Sequence, residues 1–490
     1  MKTKFANIFK ISHVVYIIYF GLYLLIGISM LIKQPFGSPP DEYNRYLIPQ
    51  YIAENGSLPN GFEEEIRIYG YGFSYGFQPI LPYILQGLCM RFTGLFTDSG
   101  TALLYSARAV DLVLGLIMAW IVLLLSRQWF SDRRFGWLFA FLTTFLPQSI
   151  FVHTYVNTDS CCMLSIAVML LGLTLGFKDS FSLRSCVIIS AGIILCALSY
   201  YNAYGYILSC IFLFTAFFVG YDHNMAAKKP HITFDTKNFL KKGCFISALV
   251  LIGISWWFIR SAILYDGDFL GLRTRNEYAA LYAVPELHPD TRVTWQSQGY
   301  SLADMLIRSD FCNLTLLSFI SMFGAMAIPT SIWVYRFYKA LFAVGLLCCI
   351  FIPLSKTAID PTVLPKRRNL RIFYHANMVF CMAMPLILSI VYSYSTDYQP
   401  QGRYVLPALV PFCFYLVYGL QKACWLAYAL IRRCHTHKKP ERPQMPLPTV
   451  PFSAFCTVFC ALFCLFIVGM LLWTIYGYAF PYYEANPIAP

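Results

Sequence analysis

Two adjacent carboxylates, Asp41 and Glu42, stand in the stretch Ser38-Pro39-Pro40-Asp41-Glu42-Tyr43-Asn44-Arg45-Tyr46, just beyond the first long apolar run of the chain. A carboxylate held by prolines at a membrane boundary can serve as general base toward an incoming hydroxyl or amine. Adjacent helix positions differ by about 100°. One acid can therefore face a cavity while the other caps the helix or binds an ion. The same residues also read as a helix start, with Ser38 as cap, Pro39 in the first turn and Asp41 as the capping-box acid. In that reading Asp41 pairs with Arg45 at i, i+4.

Far along the chain, Gln401-Gly402-Arg403-Tyr404 opens another apolar run. A cation at a helix N-terminus opposes the macrodipole by about 0.3–1 kcal/mol. Gly402 permits close backbone approach, and the planar fork of Arg403 suits a phosphate. Together these features favour an anion at that point; the bland alternative is a snorkelling arginine. Trp256-Trp257-Phe258-Ile259-Arg260 ends a further run, where an aromatic belt and a snorkelling Arg260 suffice. His153, Asn157 and Asp159 crowd one short turn. A His with an Asp could bind a metal or a sugar hydroxyl, and ordinary turn chemistry is the simpler reading. Arg108 and Asp111, at i and i+3 inside an apolar run, are expected to pair with each other. Ionisable groups in a span also raise the odds of a polar cavity. The acids leave room for a divalent metal, and no other cofactor is indicated.

What positions these residues is a membrane bundle. The chain has 490 residues, of which 58% are hydrophobic and only 12% charged; a soluble protein would carry about 25% charge. Apolar runs lie near 12–33, 103–125, 135–153, 160–177, 184–200, 204–221, 244–264, 338–355, 372–394, 404–431 and 452–478. Runs of about 20 residues match a bilayer core of about 30 Å. The expected fold is all-α, a single integral-membrane domain over 1–490 with about eleven spans. The net charge of +13 comes from basic residues in short loops between runs. Topology explains that better than nucleic acid does, and it puts the N-terminus in the cytoplasm and the C-terminus outside. The 17 cysteines lie mostly within apolar runs and read as packing residues.

Two large external segments follow from this threading. The first, 34–102, is expected to carry surface-lying helices, one of them near Phe77–Leu85. The second, 265–337, includes the apolar stretch 311–334. Gly324 and Pro329 interrupt that stretch, and Trp333, Tyr335 and Tyr338 suggest an interfacial belt, so it reads as re-entrant or interfacial. Short external turns are expected at Thr154–Ser160, Tyr200–Ala203 and Ser395–Gln401.

Pro40-Asp41-Glu42, Arg45-Tyr46, Ile52-Ala53 and Gly56-Ser57-Leu58-Pro59 resemble the first external loop of GT-C glycosyltransferases, such as the protein O-mannosyltransferases and the aminoarabinose transferases of lipid A. Leu146-Pro147, Asn157-Thr158-Asp159, Trp256-Trp257…Arg260…Leu264-Tyr265-Asp266-Gly267-Asp268 and Gln401-Gly402-Arg403-Tyr404 are similar to a narrower bacterial family of multi-pass proteins long catalogued as of unknown function. The resemblance runs in order from about residue 38 to 410. It implies a GT-C-like transferase that uses a polyprenyl-phosphate sugar at the outer face of a bacterial inner membrane, in cell-envelope glycan assembly. Asp41 is then the base, Glu42 its neighbour and Arg403 a phosphate contact, flanked by Gln401 and Tyr404. Arg45, Tyr46, His153, Asn157, Asp159 and Arg260 are the further substrate-binding candidates. The implied partners are the donor, membrane lipids and a glycan, lipid or protein acceptor, with no nucleic acid. The lipid A and mannosyl enzymes carry a soluble C-terminal domain that this sequence does not show, so their acceptors are not carried over. A transporter or lipid-linked sugar flippase is the alternative. It predicts inverted repeats and helices broken near the midplane, which the sequence does not display. A purely structural membrane protein leaves the long external segments and Arg403 without a purpose.

Overall fold

The computed structural model describes residues 2–222, 231–352, 368–436 and 451–487. Among them, nine helices are long and apolar enough to cross a membrane, from His13–Lys33 to Phe452–Ala485. The protein is a multi-pass helical bundle. Its only sheets among the described residues are two short antiparallel pairs, Val219–Asp222 with His231–Phe234 and Met322–Phe323 with Ile328–Pro329. The sixteen cysteines whose side chains are described are free.

Two of the eleven apolar runs form shorter helices. The run 135–153 breaks at Leu146, which leaves helical geometry (φ −58°, ψ 128°). Its successor Pro147 disfavours the α region there, and then opens a new helix, Pro147–Phe151. The helices Arg133–Phe145 and Leu183–Ala197, of 13 and 15 residues, are about 20 and 23 Å long at 1.5 Å per residue. Neither matches a bilayer core by itself.

Burial separates centre from rim. The span Asp159–Asp179 is 83% buried and packs against Gly100–Trp129 and Leu183–Ala197. The span Thr236–Leu264 is 11% buried and turns Leu251, Ile252, Ile259 and Ile263 outward. The first residue of the central span, Asp159, is thus set among neighbouring elements. Close backbone approach completes the bundle where Ile332–Phe351 meets Leu409–Thr436. A Cβ on Gly419 would stand 1.7 Å from the Gly345 carbonyl oxygen, so only the absence of a side chain lets the two helices touch.

The segment 34–102 carries two packed helices, Glu42–Asn55 and Leu81–Gly94. Gly87 meets Ile52 and the Pro49 carbonyl, with no room for a Cβ. In the second segment, Phe311–Ile320 has ten residues, about 15 Å of helix and half a bilayer core. The hairpin Met322–Pro329 then returns the chain to Ile332–Phe351, whose start precedes the apolar run read from 338. The expected aromatic belt is corrected: Trp333 is exposed, but Tyr335 and Tyr338 are core residues. The Tyr335 hydroxyl donates to the Ser321 carbonyl at 2.6 Å.

Candidate active site

Asp41 and Glu42 part company at the start of the helix Glu42–Asn55. Asp41 is its N-cap residue, yet it sits in the left-handed region (φ 60°, ψ 5°) and its side chain makes no capping bond. An L-residue seldom adopts that conformation; Asp tolerates it better than most. The capping-box expectation is therefore corrected: only backbone is used, Arg45 N–H donating to the Asp41 carbonyl at 2.9 Å.

Glu42 is fully buried and spent. Arg108 donates from Nε to Oε1 (2.7 Å) and from Nη2 to Oε2 (2.6 Å), a bidentate fork. The backbone N–H groups of Gly37 (3.1 Å) and Val156 (3.2 Å) occupy the remaining acceptor directions. Arg108 Nη1 also donates to the carbonyls of Leu31 and Gln34, at 2.8 and 2.9 Å. One ion pair thus ties the end of the first span, the start of the helix Glu42–Asn55, the span Gly100–Trp129 and the turn at 153–159. The expected Arg108–Asp111 pair is not formed. Asp111 Oδ2 accepts instead from Gln86 Nε2 at 2.8 Å.

Asp41 turns to Arg403, 362 residues away, and its Oδ2 accepts from Nη2 in an ion pair. The Arg403 side chain is 2% exposed and that of Asp41 35%, so the carboxylate opens outward in front of a buried cation. Arg403 is held from three other directions. Nε donates to Gln401 Oε1 (2.6 Å), Nη2 to the Tyr404 hydroxyl (3.1 Å) and Nη1 to the Pro40 carbonyl (3.5 Å). The Tyr404 hydroxyl in turn donates to Gln399 Oε1 at 2.5 Å.

Two sequence arguments about this segment are corrected. Arg403 lies in a 3₁₀ stretch, Gly402–Ala408, ahead of the helix Leu409–Thr436, so it is not the first residue of an α-helix with a full dipole. Gly402 makes its close approach to protein: a Cβ there would fall 2.0 Å from the Phe319 nitrogen, and its N–H donates to Ser318 Oγ at 2.6 Å. The glycine seats this segment on the helix Phe311–Ile320 and leaves no backbone donor of its own for an anion.

Arg45 lies behind Asp41. It forms no i, i+4 ion pair; Nη1 donates to Thr158 Oγ1 (2.9 Å) and to the Tyr83 hydroxyl (3.1 Å), and the guanidinium stacks 4.7 Å over Tyr75. Asp159, next to Thr158, is buried, and its Oδ2 has no protein partner; the same holds for Arg45 Nε and the Tyr155 hydroxyl. Burial pushes the Asp41 carboxyl up, but the charges of Arg403 and Arg45 and the hydrogen bond from Arg403 outweigh it, holding the group below the usual carboxylate range. Burial raises the phenols of Tyr75, Tyr83, Tyr155 and Tyr200 above their ordinary range, against the pull of nearby arginines, and keeps them protonated. They surround the acids and arginines as neutral hydroxyls. No motif marked these four tyrosines: Tyr75 and Tyr83 lie in the segment 34–102, Tyr155 and Tyr200 in the short turns at 154–160 and 200–203.

The structure thus brings together Asp41, Arg45, Asp159, Gln401, Arg403 and Tyr404. It takes the other candidates elsewhere. His153 is buried with neither ring nitrogen partnered, and burial lowers its pKa to about 3. Its ring lies against Gly115, where a Cβ would come within 2.5 Å. Asn157 builds the turn: Nδ2 donates to the carbonyls of Val152 and Tyr155, both at 2.7 Å, and Oδ1 accepts from Ser160 N–H at 3.0 Å. That network buries 154–160, which the sequence reading put in an external turn. Tyr46 packs edge-on to Phe36 at 5.0 Å. Arg260 does not snorkel; Nη2 donates to the Pro59 carbonyl (2.8 Å) and Asn60 Oδ1 (3.0 Å), and the guanidinium stacks over Trp257. Among the described residues no three His, Cys, Asp or Glu converge on a metal position. The cluster would offer a divalent ion two carboxylates, Asp41 and Asp159, with Asp41 held by Arg403.

No family model matches the chain, and no curated protein matches it. Among solved structures, the chain is similar to the archaeal oligosaccharyltransferase AglB from Archaeoglobus fulgidus, in complex with an inhibitory peptide and a dolichol-phosphate. Identity is 13% and the TM-score 0.48, over 92% of this chain and 55% of that one. It is also similar to the arabinofuranosyltransferase AftD from Mycobacteria, with 11% identity and a TM-score of 0.47 over 94% of this chain and 27% of that one. A third likeness is to ArnT from Cupriavidus metallidurans bound to undecaprenyl phosphate, with 10% identity and a TM-score of 0.36 over 92% and 88%. The chain spans about half the length of the AglB chain and about a quarter of the AftD chain.

Proposed function

We propose that this protein is a membrane glycosyltransferase of the GT-C type that moves a sugar from a polyprenyl-phosphate donor to an acceptor at the outer face of the membrane. Its Pro-Asp-Glu and Gln-Gly-Arg-Tyr segments resemble those of the narrower bacterial group. The observation that carries the reading is the ion pair between an outward-opening Asp41 and a buried Arg403 fork. AglB holds a dolichol-phosphate and ArnT an undecaprenyl phosphate; the reading for this chain rests on its own residues.

In the reaction, the acceptor's O–H or N–H gives its proton to an Asp41 oxygen. The acceptor atom forms a bond to the anomeric carbon while the bond from that carbon to the phosphate oxygen breaks. The electron pair leaves with the lipid phosphate, and the configuration inverts. Charge grows on that phosphate, where Arg403 and Arg45 are prepositioned to meet it. Glu42 takes no part in the transfer and holds the loop that presents Asp41. The basic loops support a cytoplasmic N-terminus, an external C-terminus and a site facing away from the cytoplasm, as in the inner membrane of a bacterium assembling envelope glycans. A flippase calls for charged groups along a mid-span path. Here Asp159 begins one span, Arg403 precedes the helix of another, and two charged groups inside a span, Arg108 and Asp111, are taken up by Glu42 and Gln86.

Purified protein given polyprenyl-phosphate sugars and an extract of envelope glycans should release free polyprenyl phosphate. Release that is undiminished in Asp41→Asn would refute the assignment.

A further inference from the structure

A phosphate that seeks Arg403 finds an anion already on it. Around the site, Asp41 and Asp159 balance Arg45 and Arg403, while Glu42 and Arg108 neutralise each other. An incoming phosphate leaves this cluster with excess negative charge in a poorly solvated place, so the resident groups must rearrange. Their mobility is unequal. The guanidinium of Arg403 is buried and fixed by Gln401, Tyr404 and the Pro40 carbonyl. The carboxylate of Asp41 is a third exposed, carries no capping bond and sits on a residue outside the helix in the left-handed region. A rotation about its own side chain frees it.

We propose that Asp41 is the resident counter-ion of the phosphate subsite: the donor's phosphate expels its carboxylate from Arg403, and the expelled carboxylate is the one that takes the acceptor's proton. This inference rests on the phosphate reading of Arg403 above and adds an order to it. Donor binds first, because until then the base is neutralised by the cation it guards. An acceptor arriving alone meets a carboxylate locked in an ion pair. The lipid phosphate that departs with the electron pair stays on Arg403, and its exit lets Asp41 return after losing its proton to water.

The test is a sign. A residue that merely orients Arg403 would weaken phosphate binding when removed, whereas a competitor would strengthen it. Undecaprenyl phosphate, which carries no sugar, is titrated into the full chain in nanodiscs for the wild type, Asp41→Asn, Asp41→Ala and Arg403→Ala. Binding to both Asp41 variants should tighten by about tenfold, the equivalent of about 1.4 kcal/mol and the scale of one charge-assisted hydrogen bond. Arg403→Ala should bind more weakly than the wild type. Asp41→Ala guards against an Asn side chain that keeps a contact with Arg403, and thermal midpoints confirm that each variant is folded. Unchanged or weaker binding by both Asp41 variants, with Arg403→Ala also weakened, overturns the expulsion and leaves the phosphate reading intact. Arg403→Ala binding as well as the wild type, or no saturable binding by any form, sinks the phosphate reading itself.

Discussion

Asp41 and Glu42 carry the same functional group one residue apart, and their surroundings give them unlike tasks. Asp41→Asn keeps the shape of the side chain and removes the proton acceptor. Turnover should fall by about 10²–10⁴-fold, the usual scale of general-base catalysis, with the thermal midpoint lowered only modestly because the Asp41 carboxylate is a third exposed. Arg403→Lys keeps the charge and loses the fork, so activity should persist at a reduced level and fall further in Arg403→Ala. The pH dependence has a definite sign. The Asp41 carboxyl is held below its ordinary value of 3.8, so its ion pair is present at neutral pH and is lost only as pH falls through that lowered value. Phosphate on Arg403 removes the main cause of the lowering. The other groups facing Asp41, namely Arg45, Tyr71, Tyr75, Tyr83, Tyr155 and Tyr404, stay in place. The acid limb of kcat, which reports the donor complex, should therefore lie at higher pH than that of kcat/KM. Coincident limbs in a full pH–rate profile would contradict the release of Asp41 by donor.

At the scale of elements, two contacts hold the site in register. The Glu42–Arg108 fork binds the external helix to two spans. Glu42→Gln leaves a fully buried Arg108 without its carboxylate, which should cost about 3–5 kcal/mol of stability. The measurable result is a lowered thermal midpoint and poor yield in membranes, in contrast to the well-folded Asp41→Asn. The second contact is Gly402 on the helix Phe311–Ile320. The atom that a Cβ would strike, the Phe319 nitrogen, is backbone and cannot swing aside. Gly402→Ala should push the segment Gln401–Tyr404 off its seat and abolish donor binding even though every polar side chain of the site remains. Normal undecaprenyl phosphate affinity in Gly402→Ala would show that Arg403 does not depend on this seat.

The whole molecule presents the cluster on one side of the bundle, and labelling can establish which side that is. Tyr69 is 93% exposed in the segment 34–102, and Arg133 is exposed at the start of the helix Arg133–Phe145. Cysteines at these two positions, in a background lacking the exposed native Cys244 and Cys312, should react with an impermeant reagent from opposite faces, residue 69 from outside the cell. Labelling of residue 69 from the cytoplasm would invert the topology and turn the site inward. Arg367, the basic residue best suited by sequence to mark the cytoplasmic face, lies outside the described residues.

Membrane class and most helix positions are legible in the sequence, because a span requires about 20 consecutive apolar residues and that is a local property. Asp41 and Arg403 stand out for a similar reason: a charged side chain beside an apolar run needs an explanation even when its partner is unknown. Their partners are a different matter. Spacing offered Arg108 the nearby Asp111 and offered Asp41 the nearby Arg45, both at helical intervals. The folded chain instead gives Arg108 a bidentate carboxylate 66 residues away and Asp41 a guanidinium 362 residues away. Bidentate geometry and burial outweigh proximity along the helix, and neither is written in the spacing. The same holds for the turn 154–160, read from sequence only as a short external turn between apolar runs, whose polar groups Asn157 and Ser160 satisfy internally so that it can be buried. It holds also for Gly402, whose missing side chain has a purpose only once Phe319 is beside it. Which of two adjacent acids is partly exposed and which is sealed was decided by the tertiary structure alone: a distant arginine reaches each carboxylate, but only Glu42 also has its remaining acceptor directions filled by backbone N–H groups and is shut off from water.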